Sequence, residues 1–198
     1  MSYNILELIK NSDIEWKTLG EICDLKRGRV ISKKYLEENF GDYPVYSSQT
    51  SNNGTIGTIN SFDFDGEYVT WTTDGAYAGT VFYRNGKFSI TNICGLITIK
   101  SEYLKPKPQI SYKFLFYWLQ IEAKKHISGG MGNPKLMSNV IEKVLIPIPP
   151  LAVQGEIVRI LDNFTELTAR KKQYDYYLNK LLTFENTQDS FKILGGGN

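Results

Sequence analysis

"VLIPIPPLAVQGEIVRILDNF", residues 144–164, changes its period half-way. The first half alternates apolar residues with prolines, as a strand leaving a sheet does, and the second half places apolar residues three and four apart. Carried onward through Val153, Ile157, Ile160, Phe164, Leu167, Lys171, Tyr174, Leu178 and Leu181, the pattern keeps one helical stripe, broken only by Lys171, with the spacing of a coiled-coil seam. Pro149 and Pro150 block an earlier start, because proline lacks the amide donor and restricts the residue before it, so the spacing predicts a helix from about Leu151. Reaching Phe184, such a helix would be roughly 50 Å long. An ordinary amphipathic helix lying on its own core competes with an arm that pairs with a second copy or another partner. The length favours the arm.

Outward from that junction, 198 residues suffice for one core and an appendage. The expected division is a domain over residues 1–150, the long helix over 151–186, and a tail without fixed structure over 187–198, ending in "KILGGGN". No run of eighteen apolar residues exists, and no basic-then-apolar-then-small pattern opens the chain, which predicts a cytoplasmic protein with no membrane contact. Cys23 and Cys94 lie far apart without CxxC spacing and are expected to be small buried side chains rather than metal or redox ligands.

Net charge is only +2 and says little about partners. Its distribution says more: Lys17, Lys26, Arg27, Arg29, Lys33 and Lys34 outnumber Glu21 and Asp24 in one short stretch, which could be a solvated surface or a phosphate-tracking patch.

"WKTLGEICDLKRGRVIS" carries Trp16, Leu19, Ile22 and Leu25 at helical spacing before Gly28 and predicts a short helix. From Tyr43 to Ile99 the chain is rich in Thr, Val, Ile, Tyr and Phe, broken by "NNG", "DFDG", "TDGAYAG" and "RNG", and predicts antiparallel strands with tight turns. In "TVFYRNGKFSI", Asn85-Gly86 supplies the positive φ angles of a two-residue hairpin. Residues 110–127 predict a helix whose apolar face, Phe114, Leu115, Trp118, Leu119 and Ile121, packs on the sheet and which ends at the glycines of "SGGMGNPKL". "MSNVIEKVLIPIPP" predicts a helical turn and a last strand. The fold class is therefore α+β, mainly antiparallel and β-rich with packed helices, followed by a long C-terminal helix.

Catalytic groups are scarce. The single histidine, His126, sits beside Lys124 and Lys125 at a helix end, where a dipole or phosphate contact fits better than general-base work. "GGMGNPK" lacks the spacing of phosphate-binding glycine loops, and "NPKL" lacks the second proline and the aromatic of the adenine methyltransferase motif. Asp63, Asp65 and Asp74 fall in turns, where aspartate commonly bends the backbone. No catalytic residue, metal ligand or cofactor is expected.

Three stretches together, "WKTLGEICDLKRG", "WTTDGAYAGTVFYRNGKFSITNICGLI" and "LIPIPPLAVQGEIVRILDNF", in this order, resemble the specificity subunit of type I restriction-modification systems, in a half-length form with a single target recognition domain. The resemblance spans Trp16 to about Phe184 and includes Gln154, Ile157-Val158 and Leu161-Asp162. It departs from the family at Val153, where glutamate is usual, and in "GGMGNPKLMSN". The resemblance implies a non-catalytic chain that reads double-stranded DNA, docks methyltransferase subunits and through them a restriction subunit, and pairs with a second copy of itself. It implies that the long helix, through Ile157, Ile160, Phe164, Leu167, Tyr174, Leu178 and Leu181, is the spacer between two DNA-reading domains.

Beside the resemblance, chemistry singles out candidates. Lys26, Arg27, Arg29, Lys33, Lys34 and Lys125 could neutralise phosphates. Ser47, Ser48, Gln49, Asn52 and Asn53 in "YSSQTSNNG" could offer donor and acceptor pairs to base edges, or simply stabilise a turn. Thr73, Tyr77, Asn133 and Lys135 rank second. A methyltransferase or nuclease fragment, a coiled-coil scaffold and an anti-restriction protein are the alternatives; DNA mimicry by the last would demand an acidic surface.

Overall fold

The computed structural model describes residues 7, 10, 12–129 and 132–182, with side chains to 178. The chain divides into two compact units, Met1–Val158 and Arg159–Asn198.

The first unit opens with β1 (Glu15–Thr18), which pairs antiparallel with β8 (Leu145–Ile148), Trp16 opposite Pro147. Between β1 and β2 (Cys23–Arg27) the helical spacing of Trp16, Leu19, Ile22 and Leu25 yields only a single turn, α1 (Leu19–Ile22). Thr18 and Glu21 form its capping box, and both flanks are drawn into sheets, with Leu25 paired to Ile97. The expected helix is thus mostly strand, because cross-strand pairing outweighs the local pattern.

A six-stranded sheet follows in the order β2-β7-β5-β6-β3-β4, with β3 (Tyr43–Tyr46), β4 (Thr55–Ile59), β5 (Phe64–Thr72), β6 (Val81–Ile90) and β7 (Cys94–Ile99). Its pairings are antiparallel except β3 with β6, which run parallel. The Asn85-Gly86 hairpin is not formed. Both residues lie inside β6, opposite Glu67 and Gly66, and β5 and β6 pair from Phe64↔Phe88 to Trp71↔Val81. Gly66 and Gly86 take φ of 132° and 98°, so the positive φ angle expected of a turn is spent within a long strand pair. The chain reverses instead through "TDGAYAG", residues 73–79.

One face of the sheet offers Val69, Trp71, Val81, Ile97 and Ile99 to the main core, which is completed by Leu19, Ile22, Ile141, Ile146 and α3 (Tyr112–Glu122). Ser111 caps α3 by accepting from the Phe114 amide, and a 3-10 turn, Ala123–His126, continues it. Phe114, Leu115 and Leu119 are buried as expected, whereas Ile121 points outward and Trp118 meets Trp16 edge-on. Full burial of such side chains stabilises by about 1.5–3 kcal/mol each. The opposite face carries Phe88, Ile90, Cys94 and Leu96. Ile31, Val45 and Ile59 form a third cluster, against which α2 (Lys33–Glu38) packs through Tyr35 and Leu36. Cys23 and Cys94 are both buried free thiols.

After the turn α4 (Ser138–Ile141) and β8, the long helix α5 (Leu151–Leu182) starts where the prolines require. Val153 and Gln154 are buried, and Ile157 and Val158 pack on the main core. Gln154 is spent entirely on the backbone: Oε1 accepts from Ser111 N at 3.0 Å, and Nε2 donates to Gln109 O and Pro149 O, each at 2.8 Å. In the second unit, α5 continues with Phe164, Leu167, Tyr174 and Leu178 exposed, Phe164 by 61% and Tyr174 by 64%. The Leu181 side chain, the helix expected over 183–186 and the tail over 187–198 lie outside the described residues.

Candidate nucleic-acid interface

The turn Thr91-Asn92-Ile93, between β6 and β7, ties together four of the candidate residues, Arg27, Arg29, Ser47 and Thr73. The Thr91 amide donates to Tyr46 O at 2.9 Å, and its hydroxyl meets Ser47 Oγ at 3.0 Å. Arg29 forms a parallel bridge with Thr91, Thr73 N donates to Ile93 O, and Arg27 Nη2 donates to Asn92 O at 2.7 Å. The 27–29, 46–47 and 73 segments are therefore fastened to one another. None of these residues makes a recognisable motif with Thr91-Asn92-Ile93 in sequence, where only the charged side chains stand out.

Arg27 is the most engaged cation. Its Nη2 also donates to Thr73 Oγ1 at 2.9 Å and to Asp74 Oδ2 at 3.0 Å. The Asp74 carboxylate, accepting a 2.6 Å bond from the Thr73 hydroxyl, is held below the usual carboxylate range by that bond first, with Arg27 adding to the effect. Thr73 is 0% exposed, so its hydroxyl serves this network rather than the surface. The Asp74 backbone forms an isolated antiparallel β-bridge with Lys135, Gly75 N donates to Pro134 O, and Leu136 N donates to Thr73 O, which brings the 73–79 turn beside Asn133 and Lys135. Asn133, Lys135 and Tyr77 are exposed. Gly130 and Met131 of that glycine-rich turn lie outside the described residues.

Arg29 pairs with Asp63 at 3.0 Å, and its guanidinium lies 4.9 Å from the centre of the Tyr35 ring. Lys26, Lys33 and Lys34 are exposed, Lys34 within 3.6 Å of Glu38 on the same helix. Lys125 is bound 2.6 Å from Glu122, which also faces His126.

The loop from Ser47 to Gly54 leaves β3 and enters β4. Ser47 N donates to Gly54 O at 2.9 Å, and the Gln49 amide donates to Thr55 O, so the neck is closed from both sides. Ser47 is buried and Ser48 and Gln49 are half-buried, while Asn52 and Asn53 are exposed with φ of 47° and 52°. Asparagine tolerates that left-handed conformation better than most residues. Bidentate contact of Gln49 with adenine would require release of its bond to Thr55.

Among the described residues, no group of three His, Cys, Asp or Glu side chains could hold a metal, and no helix is long and apolar enough to cross a membrane. Residues 11–175 match the type I restriction modification DNA specificity domain.

The chain belongs to that family.

The specificity subunit of the type I restriction enzyme MpnII from Mycoplasma pneumoniae is 41% identical over 190 residues, covering 90% of this chain and 56% of that protein. S.MpnORF289P N-terminus, from the same organism, is 45% identical over 184 residues, covering 85% of this chain and 95% of its own length. The chain spans only about half the length of several curated relatives it matches, 59% and 49% of two others. The crystal structure of a type I restriction-modification S subunit from M. genitalium has the same fold, with a TM-score of 0.64 at 17% identity over 94% of this chain and 49% of that one. Specificity subunits of type I restriction-modification systems are DNA-recognition chains without catalysis of their own.

Proposed function

We propose that this chain reads one half-site of a double-stranded DNA target and lends that specificity to methyltransferase subunits and, through them, to a restriction subunit. The observation that carries the reading is the joining, through Thr91-Asn92-Ile93, of a polar loop with exposed Asn52 and Asn53 to the strand end that bears Lys26, Arg27 and Arg29. Cations beside amide side chains are what groove reading needs: phosphate contacts set register, and amides discriminate bases. Lys33, Lys34, Lys125 and Lys135 extend the phosphate contacts, while Ser48, Gln49, Tyr77 and Asn133 stand nearest the bases. Ser47 and Thr73 act from below as supports of their loops.

Two copies pair through α5, antiparallel, with Ile157, Ile160, Phe164, Leu167, Tyr174, Leu178 and Leu181 in the seam. Two-fold symmetry makes identical readers recognise inverted half-sites. The test is methyl transfer by the purified chain alone and with a cognate methyltransferase subunit. The chain alone is inactive and the mixture methylates adenine at defined sites; methylation by the chain alone, or methylation by the mixture without site preference, would contradict the proposal.

A further inference from the structure

Arg84, on β6, is only 2% exposed, yet no carboxylate pairs with it among the described residues. Its guanidinium lies 3.5 Å from the centre of the Tyr46 ring and 4.4 Å from that of Phe82. Nε donates to Thr70 Oγ1 at 3.3 Å, and Nη1 has no hydrogen-bond partner among the described residues. Burial lowers its pKa to about 10, which still leaves it charged at neutral pH. A buried cation without an anion is costly, and a core needing only bulk at this position would be served better by an apolar side chain.

What the guanidinium faces explains its presence. Tyr46, on which it stacks, is the last residue before the Ser47–Gly54 loop. A β-carbon placed on Gly54 would lie 3.1 Å from Arg84 Nη2, 3.2 Å from Gln49 O and 3.5 Å from Ser47 O. The guanidinium of Arg84 thus reaches the end of the loop at Gly54, in space kept open by a glycine whose φ is +81°. The loop's lateral bonds, Ser47 to Gly54 and Gln49 to Thr55, close its neck, and Arg84 approaches that neck at Gly54.

We propose that Arg84 is a positioning residue for DNA specificity: stacked on Tyr46 at the Gly54 end of the 47–54 loop, it holds that loop in one shape, and base discrimination by the loop's exposed residues depends on it. The inference rests on the reading of this loop as a base-contacting element, and the experiment separates the two.

Arg84→Met keeps most of the volume and removes the charge. Amide hydrogen exchange on the full chain is read at residues 47–55 and in β5–β6, and a randomised duplex library is used to select preferred sites for the wild type and each variant. Exchange at 47–55 is expected to quicken by at least about tenfold while β5–β6 keeps its protection. Discrimination against a single mismatched pair, ordinarily about 5- to 150-fold, should fall toward parity, with affinity for mixed-sequence DNA and its salt slope unchanged. A uniform loss of affinity for all sequences, or unchanged loop exchange, would overturn the proposal. Ser48→Ala and Asn52→Ala are selected in parallel. If they shift the preferred site while Arg84→Met does not, the positioning role fails and the base-reading loop stands; if none of the three shifts it, both fail. Should Arg84→Met not fold, Arg84→Lys carries the same test, since it retains charge but loses the planar stack and is expected to loosen the loop likewise.

Discussion

Arg27 serves the fold through its own hydrogen bonds, and in the proposed interface it meets the DNA as well. Its bonds to Thr73, Asp74 and the Asn92 carbonyl tie three segments, so Arg27→Met should cost about 1–2 kcal/mol in urea denaturation, the charged hydrogen bonds being discounted for partial exposure. Asp74 is depressed by the Thr73 hydroxyl first and by Arg27 after it, so its contribution is complete above the ordinary carboxylate value of about 4 and is lost as pH falls through the lower folded value. Wild-type stability should accordingly drop more steeply below about pH 4 than that of Asp74→Asn, which begins lower at neutral pH; parallel acid limbs would show that Asp74 carries no such linkage. Lys26, Lys33 and Lys34 are exposed, so their joint replacement by alanine isolates phosphate binding from stability. Binding should weaken alike for all sequences, with the salt slope reduced by about 1 for each phosphate that no longer meets a lysine. An unchanged slope would put these lysines off the DNA.

Among the elements, α5 is legible in the sequence because its cause is local: two prolines forbid a helix, and the residue after them begins one. The Asn85-Gly86 turn fails to form for the opposite reason, since that dipeptide's preference is decided by Gly66 across the sheet, which no local pattern reveals. The helix expected around Trp16 to Leu25 shrinks to one turn because Trp16 and Leu25 find partners in Pro147 and Ile97, far along the chain. The site divides in the same way. Exposed lysines and the asparagines of the loop can be named from composition, whereas the burial of Thr73 and Ser47 arises from the 91–93 turn, a meeting of distant segments. Gln154 stands out in sequence only as part of a resemblance; its three bonds to Ser111, Gln109 and Pro149 supply the physical reason. Gln154→Leu would strand one amide and two carbonyls at a 0% exposed position. It should lower unfolding free energy by about 2–4 kcal/mol, measured by urea denaturation; a loss under about 1 kcal/mol would mean that water replaces these bonds.

At the scale of the whole molecule, the long C-terminal helix has 32 described residues, about 48 Å along its axis. Phe164, Leu167 and Tyr174 are more than half exposed there, which suits pairing with a second helix. In the proposed dimer the helix pair sets the separation of two identical readers, so the target is two inverted half-sites with an unspecified gap. Inserting seven residues in phase with the heptad lengthens each helix by roughly 10 Å, or about three base pairs of B-DNA. The direct measurement is sequencing of the sites methylated when a cognate methyltransferase works with the native chain and with the insertion variant. Inverted half-sites are expected in both, identical in bases, with the gap widened by about three pairs in the variant. Sites that are not inverted repeats, an unaltered gap, or changed half-site bases would contradict the helix pair as the ruler between readers.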